Sequence, residues 1–380
     1  MERPLRLLLV SFIADAPWTG MGRWTYEIKA ALEQLGHTVE TWFAGDFPGT
    51  AGLGRLGVLA FPLALAARLV ARRQRFDAVV VHEPSGLWYG LLRRLDRRLP
   101  PLIAMCHNVE SHHFRTMVRY TRRGLADVSP LTRWRAPLLR HWQSDGTIKL
   151  ADHVLCLSTV DAAYITERLG VAPTRVTQFV NGAANRDFVP RHAGGGRCAV
   201  VWVGGWLDVK GRRALPRLWH RVREQVPAGR LTLAGTGVAP GVVLSEFDPQ
   251  DRDSIAVLPR VERAEEMRSL YSASDVYLLC SLSEGSPLSL LEAMAASTAT
   301  VATRVGGVPD LVTDGTHALL FDPADIRGGA GLVSRLLRDP SEARRLGEAA
   351  RQRARELTWG RAAAVLAGVA RGVAGASRAG

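Results

Sequence analysis

The fold is decided by residues 275–322, which read DVYLLCSLSEGSPLSLLEAMAASTATVATRVGGVPDLVTDGTHALLFD. The apolar run Val276 to Cys280 predicts a buried strand. The pair Ser286-Pro287 predicts a helix start, because serine is a good N-cap and proline suits the first helical position. The helix-forming run 288–296 then leads into the β-branched segment 299–303. The stretch therefore predicts a strand, a helix and a parallel strand joined by a right-handed crossover.

The start of this helix is a predicted phosphate site. Its first turn carries unpaired N–H groups and the positive end of the helix dipole, which favour an anion near Ser286, Leu288 and Ser289. Glu284 precedes the helix, and Glu292 lies about 7 to 8 Å beyond its start at ~1.5 Å per residue. Two carboxylates around a phosphate site suit a diphosphate with a hydroxyl-rich group on either side. A nucleoside diphosphate sugar is such a ligand.

The motif from Glu284 to Ala295, EGSPLSLLEAMA, is followed by VATRVGGVPD at 301–310. Together they resemble the Glu-x7-Glu signature of glycosyltransferase family 4, group 1. Two glutamates at this spacing are common on solvated helices, but the flanking Glu-Gly, Glu-Ala-Met and Gly-Gly-Val-Pro make the match specific. The resemblance implies a retaining enzyme of the GT-B fold, an α/β architecture with two Rossmann-like, doubly wound domains facing a cleft.

The resemblance also implies roles for individual residues. Glu284 would hold the sugar hydroxyls, Glu292 would hold the ribose, and His107 would contact the sugar and its phosphate. Lys210 and the helix start would stabilise the leaving diphosphate. The implied catalytic set is therefore Glu284, His107 and Lys210. The implied donor-binding set is Gly204, Gly205, Val261, Gly285, Ser286, Pro287, Leu288, Ser289 and Glu292.

The loop 204–211, GGWLDVKG, follows a predicted strand and is glycine-rich. Glycines let a backbone approach a phosphate closely, and Lys210 could neutralise its charge. The family usually has Gly-Arg at the first two positions, whereas this chain has Gly205 in place of the arginine. Either Arg212 or Arg213 substitutes for it, or donor affinity is weaker. A solvated loop lysine is the alternative interpretation of Lys210.

Helices and strands alternate in the first half of the chain, a pattern that predicts a doubly wound parallel sheet. His107 follows the strand Leu102 to Cys106, at the strand end where such sheets bind ligands, although it could instead be a structural histidine. A loop containing Gly20 and Gly22 precedes a predicted helix from about Trp24 to Leu35. In the family this loop faces the donor phosphates and acceptor, although a plain tight turn would explain the glycines equally well.

A chain of 380 residues exceeds one usual hydrophobic core, so two domains are expected. We expect an acceptor-binding domain at 1–190, a glycine-rich linker at 191–197 and a donor-binding domain at 198–358. By resemblance, a final helix at 359–380 crosses back to the first domain. Ala184 departs from the family, which usually has an aspartate there. The predicted strands are 6–12, 37–43, 77–82, 102–106, 152–157, 176–180, 199–203, 231–234, 255–258, 276–280 and 299–303.

Arginine dominates one region. Between Arg68 and Arg140 there are fifteen arginines and five acidic residues, against a formal charge of +13 for the chain. Aromatic residues are interleaved with these charges, so this region could contact an anionic membrane or attract an anionic acceptor. A solvated arginine-rich surface is the alternative. Nucleic acid is not expected, because no nucleic-acid-binding motif accompanies the charge.

The remaining features indicate a cytoplasmic protein, with a position at the inner face of the cell membrane as one possibility. The first apolar run lacks a signal-peptide pattern, and the apolar stretch Leu53 to Ala71 is too short and broken to span a bilayer. Cys106, Cys156, Cys198 and Cys280 lie far apart beside apolar runs, which is typical of reduced core cysteines. The sequence Asp251-Arg252-Asp253 resembles a metal-binding motif, but GT-B enzymes do not generally need that metal, and no cofactor is expected.

The sequence thus favours a retaining, hexosyltransferase-type enzyme that moves a sugar from a nucleoside diphosphate sugar to a glycan or lipid-linked acceptor. Cell-surface polysaccharide or lipopolysaccharide biosynthesis is the expected setting. The alternative is a non-catalytic nucleotide-sugar-binding scaffold of a polysaccharide assembly complex, which the missing arginine at Gly205 makes conceivable. A GT-B nucleotide-sugar epimerase is disfavoured, because its motifs are not found.

Overall fold

Two parallel sheets of six strands each organise the chain. The structure, a computed structural model, describes residues 3–16, 19–51, 57–72, 75–189, 198–261 and 263–379. Its contacts divide the chain into two compact units. The first unit contains Met1–Arg115, Ser129–Asn181 and Trp359–Gly380, and the second contains Thr116–Val128 and Gly182–Thr358.

The sheet of the first unit has the strand order β2-β1-β3-β4-β5-β6. All of its pairings are parallel, and Leu7 of β1 lies beside Ala78 of β3. The chain moves outward from β1 to β2 and then returns to the other side at β3. The switch point where ligands bind in such sheets therefore lies at the carboxyl ends of β1 and β3. The strands are β1 Arg6–Val10, β2 Thr38–Trp42, β3 Ala78–His82, β4 Leu102–Cys106, β5 His153–Cys156 and β6 Val176–Gln178.

Helices cover this sheet because β3 and β4 are completely buried apolar runs. One face packs Phe61 and Leu65 of α3, Tyr89 of α4 and Ile148 of α7 against the strands. Short π-helical segments at Pro137–His141 and Tyr164–Arg168 follow α6 and α8. The helices are α1 Gly20–Gln34, α2 Pro48–Ala51, α3 Gly57–Ala71, α4 Leu87–Leu95, α5 Glu110–Thr121, α6 Pro130–Ala136, α7 Trp142–Leu150 and α8 Thr159–Ala163.

The sheet of the second unit has the strand order β12-β11-β10-β7-β8-β9 and is also parallel. The chain runs outward from β7 to β9, then crosses to β10 on the other side of β7. The switch point therefore lies at the carboxyl ends of β7 and β10. The strands are β7 Ala199–Val203, β8 Arg230–Ala234, β9 Ile255–Leu258, β10 Val276–Leu279, β11 Ala299–Thr303 and β12 Leu319–Phe321.

The core of the second unit is formed by these strands and the helices around them, with Trp202, Leu218 and Trp219 buried among them. The helices are α9 Leu215–Gln225, α10 Pro240–Leu244, α11 Ala264–Ala273, α12 Leu288–Ala295, α13 Val308–Leu311, α14 Ile326–Arg338 and α15 Pro340–Glu356. The final helix, α16 Trp359–Ala379, belongs to the first unit and packs against α1.

Two segments belong to a different unit from the domain in which the sequence analysis placed them. Met117, Tyr120 and Leu125 lie in the hydrophobic core of the second unit, and this burial assigns Thr116–Val128 there. Residues 182–189 also belong to the second unit. The linker proposed at 191–197 lies outside the described residues.

The predicted α/β architecture is confirmed, and each of the eleven predicted strands agrees with the structure to within two residues at either end. The short strand β12 was not predicted. The helix expected from about Trp24 begins at Gly20, because Thr19 caps it by accepting a hydrogen bond from the N–H of Gly22 at 3.2 Å. Serine does not cap α12 as expected; Pro287 occupies the N-cap position, one residue later.

The four cysteines, all among the described residues, form no disulfide bonds, and Cys106, Cys156 and Cys280 are buried. This agrees with the prediction of core cysteines. Within the described ranges, no helix combines the length and the apolar character needed to cross a bilayer.

Candidate functional site

An ion pair occupies the switch point of the second unit. Lys210 follows β7 and Glu284 follows β10, and the Lys210 Nζ lies 2.6 Å from Glu284 Oε1. Ser281 Oγ donates to the same oxygen at 2.6 Å. The Glu284 side chain is only 8% exposed, whereas that of Lys210 is 31% exposed. Glu284 Oε2 receives no hydrogen bond from the described residues, so this oxygen can accept one from a ligand.

The loops that carry this ion pair are tied together by their backbones. Leu282 N donates to Val209 O at 2.8 Å, and Cys280 Sγ contacts Lys210 O at 3.5 Å. Gly211 is required at this junction, because its φ is +86° and a Cβ atom there would lie 2.1 Å from Cys280 O. The position of Lys210 is therefore fixed by the loop after β10.

A second glycine lies against the backbone carbonyl of Glu284. Gly306, after β11, has a φ of +48°, and a Cβ atom on it would lie 1.8 Å from Glu284 O. Gly307 N donates to the same carbonyl at 3.1 Å. Thr303 Oγ1 also donates to Ser281 O at 2.7 Å. The Gly-Gly-Val-Pro part of the motif therefore positions the loop that contains Glu284.

The start of α12 lies directly after this loop. Gly285, Ser286 and Pro287 are buried, while Leu288 and Ser289 in the first turn are half-buried. The first N–H groups of a helix have no intrahelical acceptor, so this turn can bind an anion. Lys210 and the helix start thus supply positive charge at one edge of the sheet.

Two buried tyrosines donate hydrogen bonds to half-buried side chains of α12. Tyr277 OH donates to Ser289 Oγ at 2.7 Å, and Tyr271 OH donates to Glu292 Oε2 at 2.8 Å. Their rings meet edge to face at 5.7 Å. Burial raises the pKa of Tyr277 well above its usual range, so its hydroxyl stays protonated as a donor.

The other donor-site candidates lie at neighbouring strand ends. Gly204 and Gly205 follow β7, and Lys210 Cγ is 3.6 Å from the position that a Cβ atom on Gly204 would take. Val261 is half-buried in the loop after β9. The structure brings Gly204, Lys210, Glu284 and the start of α12 together.

Both arginines suggested as substitutes at Gly205 form ion pairs in this structure. Arg212 Nε donates to both carboxylate oxygens of Glu246 at 2.8 Å. Arg213 Nε donates to Asp208 Oδ2 at 3.0 Å, and its terminal nitrogen lies 3.5 Å from Asp127. Both guanidinium groups are therefore occupied by carboxylates.

His107 belongs to a ring cluster at the switch point of the first unit. Its ring lies 4.5 Å from His82 and 5.0 Å from Trp24, in both cases edge to face. The Nε2 atoms of the two histidines are 3.4 Å apart. Burial lowers the pKa of His107 to about 4 and that of His82 well below its usual range. Both imidazoles are therefore neutral at physiological pH, and His107 can act as a neutral hydrogen-bonding group.

The predicted glycine loop is part of this same arrangement. Gly20 is exposed and Gly22 is buried, and both lie in the first turn of α1 rather than in a loop. A Cβ atom on Gly22 would lie 2.0 Å from Ala16 O, whereas one on Gly20 would contact nothing within 4 Å. Gly22 thus permits the close approach of the first turn of α1, two residues before Trp24, to the backbone of Ala16.

A buried carboxyl group next to His82 was missed by sequence reasoning. Glu83 Oε1 accepts from the N–H of Glu110 at 2.9 Å, and its Oε2 accepts from Ser144 Oγ at 2.9 Å. Burial raises the pKa of Glu83 to about 8, so this carboxyl group is largely protonated at pH 7. Its partners come from positions far apart in sequence, so no local pattern indicated them.

Ser281, Tyr271, Tyr277, Trp24 and His82 were also missed. The sequence feature that could have identified His82 as a site residue is its position at the carboxyl end of β3, beside the switch point. The other contacts depend on tertiary packing between distant segments. No three His, Cys, Asp or Glu side chains converge as metal ligands in the part of the chain that the structure describes. Asp251 of the rejected metal motif is buried and lies 2.9 Å from His220.

Known proteins resemble both units. A family model described as "Glycosyltransferase Family 4" matches residues 18–183, and one described as "Glycosyl transferases group 1" matches residues 197–339. An MMP alpha-(1->4)-mannosyltransferase of Mycolicibacterium hassiacum is 30% identical over 346 residues, which cover 88% of this chain and 77% of that protein. A D-inositol 3-phosphate glycosyltransferase of Thermobifida fusca is 30% identical over 269 residues, covering 65% of this chain and 60% of its own length.

Solved structures support the fold. A sucrose-phosphate synthase from Thermosynechococcus elongatus superposes with a TM-score of 0.77 at 19% identity, covering 98% of this chain and all of that one. HepE of Anabaena in complex with UDP and glucose gives a TM-score of 0.68 at 16% identity, covering 96% and 98%. The two parallel α/β units have the GT-B fold of these glycosyltransferases. Together with the family models and the mannosyltransferase, they show that the chain belongs to the group 1 glycosyltransferases of family 4.

Proposed function

We propose that this chain is a retaining, hexosyltransferase-type enzyme that transfers a sugar from a nucleoside diphosphate sugar to a hydroxyl group of a glycan or lipid-linked acceptor. The observation that carries the proposal is the Lys210–Glu284 pair at the switch point of the second unit, beside the start of α12. A cation and a helix N-terminus suit a diphosphate, and a carboxylate with one available oxygen suits sugar hydroxyls.

In the proposed reaction, negative charge develops on the leaving diphosphate. Lys210 and the N–H groups at the start of α12 would stabilise that charge more strongly in the transition state than in the ground state. Glu284 would hold the sugar hydroxyls through Oε2 while Ser281 keeps Oε1 in place. Glu292, positioned by Tyr271, would bind the ribose.

His107 would contact the sugar as a neutral imidazole, consistent with its low pKa. The family resemblance supports front-face attack, in which the leaving phosphate accepts the proton of the acceptor hydroxyl and the anomeric configuration is retained. No metal ion or cofactor takes part in the proposal. Gly20 and Gly22 would serve the acceptor side through the position of α1.

The relatives and the charge of the chain support a proposed cellular setting. The relatives include a mannosyltransferase, inositol phosphate glycosyltransferases and a sulfoquinovosyl transferase of Arabidopsis thaliana. We propose a cytoplasmic enzyme of cell-surface polysaccharide or lipopolysaccharide biosynthesis, working at the inner face of the membrane. The basic region between Arg68 and Arg140 supports such a position.

A panel of UDP-, GDP- and ADP-sugars should identify the donor by thermal stabilisation of the protein. A ligand at 100 times its Kd raises the free energy of unfolding by about 2.7 kcal/mol, because it binds only the folded state. We expect one nucleotide to stabilise the protein and Lys210→Ala to remove most of that stabilisation. Arg221→Ala, at a partly exposed arginine of α9, is the matched control and should keep it. Stabilisation by no nucleotide would contradict the proposed function.

Replacing Gly205 with arginine should strengthen donor binding. A Cβ atom at Gly205 would meet only Leu207, at ordinary contact distances of 3.6 and 3.7 Å, so the backbone there accepts a side chain. A charge-assisted hydrogen bond to phosphate contributes about 1.5–3 kcal/mol, which is roughly tenfold in Kd or more. Isothermal titration with the identified donor measures this change. An unchanged Kd would show that residue 205 does not reach the diphosphate.

The alternative function is a non-catalytic nucleotide-sugar-binding scaffold. Two observations favour it: residue 205 is a glycine, and carboxylates occupy Arg212 and Arg213. Donor binding without transfer to any of a broad set of acceptors would support the scaffold, whereas turnover of the donor would eliminate it.

A further inference from the structure

More than half of the large hydrophobic side chains that are exposed among the described residues belong to α3, α4 and the segment from α6 to α7. In the last segment, Leu131 is 55% exposed, Trp134 68% and Leu138 57%, and Trp142 is also exposed. Their spacing of three, four and four residues places them along one side of a helical segment. They therefore form a continuous apolar stripe in solvent.

The stripe continues onto the neighbouring helices. The ring of Trp88 on α4 contacts that of Trp142, with centroids 6.2 Å apart. Seven residues after Trp88 on the same side of α4, Leu95 is 85% exposed, and Leu91 and Leu92 are also exposed. Helix α3 packs against α4 and exposes Leu63 and Val70. We call this combined surface of α3, α4 and α6 to α7 the apolar face; all of it belongs to the first unit.

Basic side chains accompany the apolar face. Arg98 follows α4 and Arg135 lies on α6; both are exposed, and neither side chain forms an ion pair with a described residue. Arg133 and Arg94 are exposed as well. The carboxylate of Glu110, at the start of α5, is paired with Arg140 at 2.8 Å. Among the described residues of these segments, exposed basic side chains therefore outnumber exposed carboxylates.

We propose that the apolar face docks on an anionic lipid bilayer. Tryptophan and leucine can enter the boundary between headgroups and acyl chains, while arginines bind the anionic headgroups. A second copy of the chain fits less well, because a symmetric contact through this face would bring its arginines against each other. The inference rests on the proposed function only where it would place a lipid-linked acceptor near the enzyme; docking itself does not require transfer.

The location differs from that suggested by counting arginines along the sequence. Thr116–Val128, with Arg119, Arg122 and Arg123, belongs to the second unit. There Arg119 lies over the ring of Tyr120, 5.2 Å from its centroid, and Arg123 lies 3.9 Å from Asp322. The docking surface is thus defined by the exposed residues on α3, α4 and α6 to α7.

Co-sedimentation of the full chain with vesicles tests this inference. The probes are phosphatidylcholine vesicles with and without one-third phosphatidylglycerol, at 0.15 M salt. We expect binding to the anionic vesicles only. The triple variant Leu131→Ser, Trp134→Ser, Leu138→Ser should bind at least tenfold more weakly, and so should Arg98→Glu with Arg135→Glu. Because these side chains are exposed, the variants should fold, as an unchanged thermal midpoint would show.

Two variants outside the apolar face control for a change in charge and for the loss of an exposed hydrophobic side chain elsewhere on the chain. Arg217→Glu with Arg221→Glu on α9 makes the same change in charge, and Val242→Ser on α10 removes an exposed hydrophobic side chain. Both should bind vesicles like the unmodified chain. Equal loss in the control variants, or no binding to anionic vesicles, would overturn the inference. Self-association that the triple variant abolishes would assign the face to a second copy instead. Donor-induced stabilisation is measured without lipid, so failure of the proposed function would be seen separately.

Discussion

Glu284→Gln should lower the rate of sugar transfer by roughly 100-fold or more, the magnitude typical of losing one preorganised electrostatic group. Glutamine has nearly the same shape and can still accept from Ser281 through its amide oxygen. It loses the charge that pairs with Lys210 and the second carboxylate oxygen that we propose binds the sugar hydroxyls. The measurement is kcat/KM for transfer of the identified donor, with the thermal midpoint as a check on folding.

Glu342→Gln is the matched control for this variant. Glu342 is a largely buried carboxylate of the second unit that pairs with Arg335, Nε to Oε2 at 2.7 Å, and it contacts none of the candidate site residues. The Glu342→Gln variant should leave kcat/KM unchanged. Near-normal transfer by Glu284→Gln would show that the charge of Glu284 is not needed for the reaction.

Gly306→Ala should both destabilise the second unit and impair donor binding. An alanine at a φ of +48° costs about 1–2 kcal/mol by itself. Its Cβ atom would also overlap Glu284 O, which is 1.8 Å from that position, so the loop must move. Such overpacking costs typically 1–3 kcal/mol more, and it would displace the carboxylate from Lys210. Thermal unfolding and donor titration measure the two effects.

Gly315→Ala measures the cost of an alanine at positive φ without the atomic overlap that Gly306→Ala introduces. Gly315 has a φ of +73°, but a Cβ atom on it would meet nothing within 4 Å. We expect it to lose about 1–2 kcal/mol of stability and to bind the donor normally. If both alanine variants lowered stability equally and left donor affinity intact, the contact between Gly306 and the Glu284 loop would have no role in the site.

Much of the fold could be predicted because local patterns agree with it. The buried runs of β3 and β4 contain few polar residues, and turn residues separate them from the helices. The motif containing Glu284 and Glu292 combines a strand, a buried turn and a helix start within a short segment. Short-range physics therefore determines much of this unit, and the N-cap error at Pro287 changes the start of α12 by only one residue.

The contacts that define the site could not be predicted from local sequence patterns. Lys210 and Glu284 lie 74 residues apart, and their pairing follows from the strand order, which places β7 beside β10. The pattern of residues after β3 likewise gave no indication that Glu83 would be buried against Ser144 and Glu110. Such contacts depend on which distant segments pack together, and a single sequence does not show that.

Neither unit is continuous along the chain, and this has a consequence for synthesis. Domains usually fold in order as they emerge from the ribosome, the N-terminal one first. In this chain, α16 packs against α1, yet it is translated only after the whole second unit. Met117, Tyr120 and Leu125 likewise belong to a hydrophobic core whose other residues lie in the second unit and are synthesised later. The surface of α1 that α16 covers in the folded protein therefore stays uncovered while the second unit is synthesised.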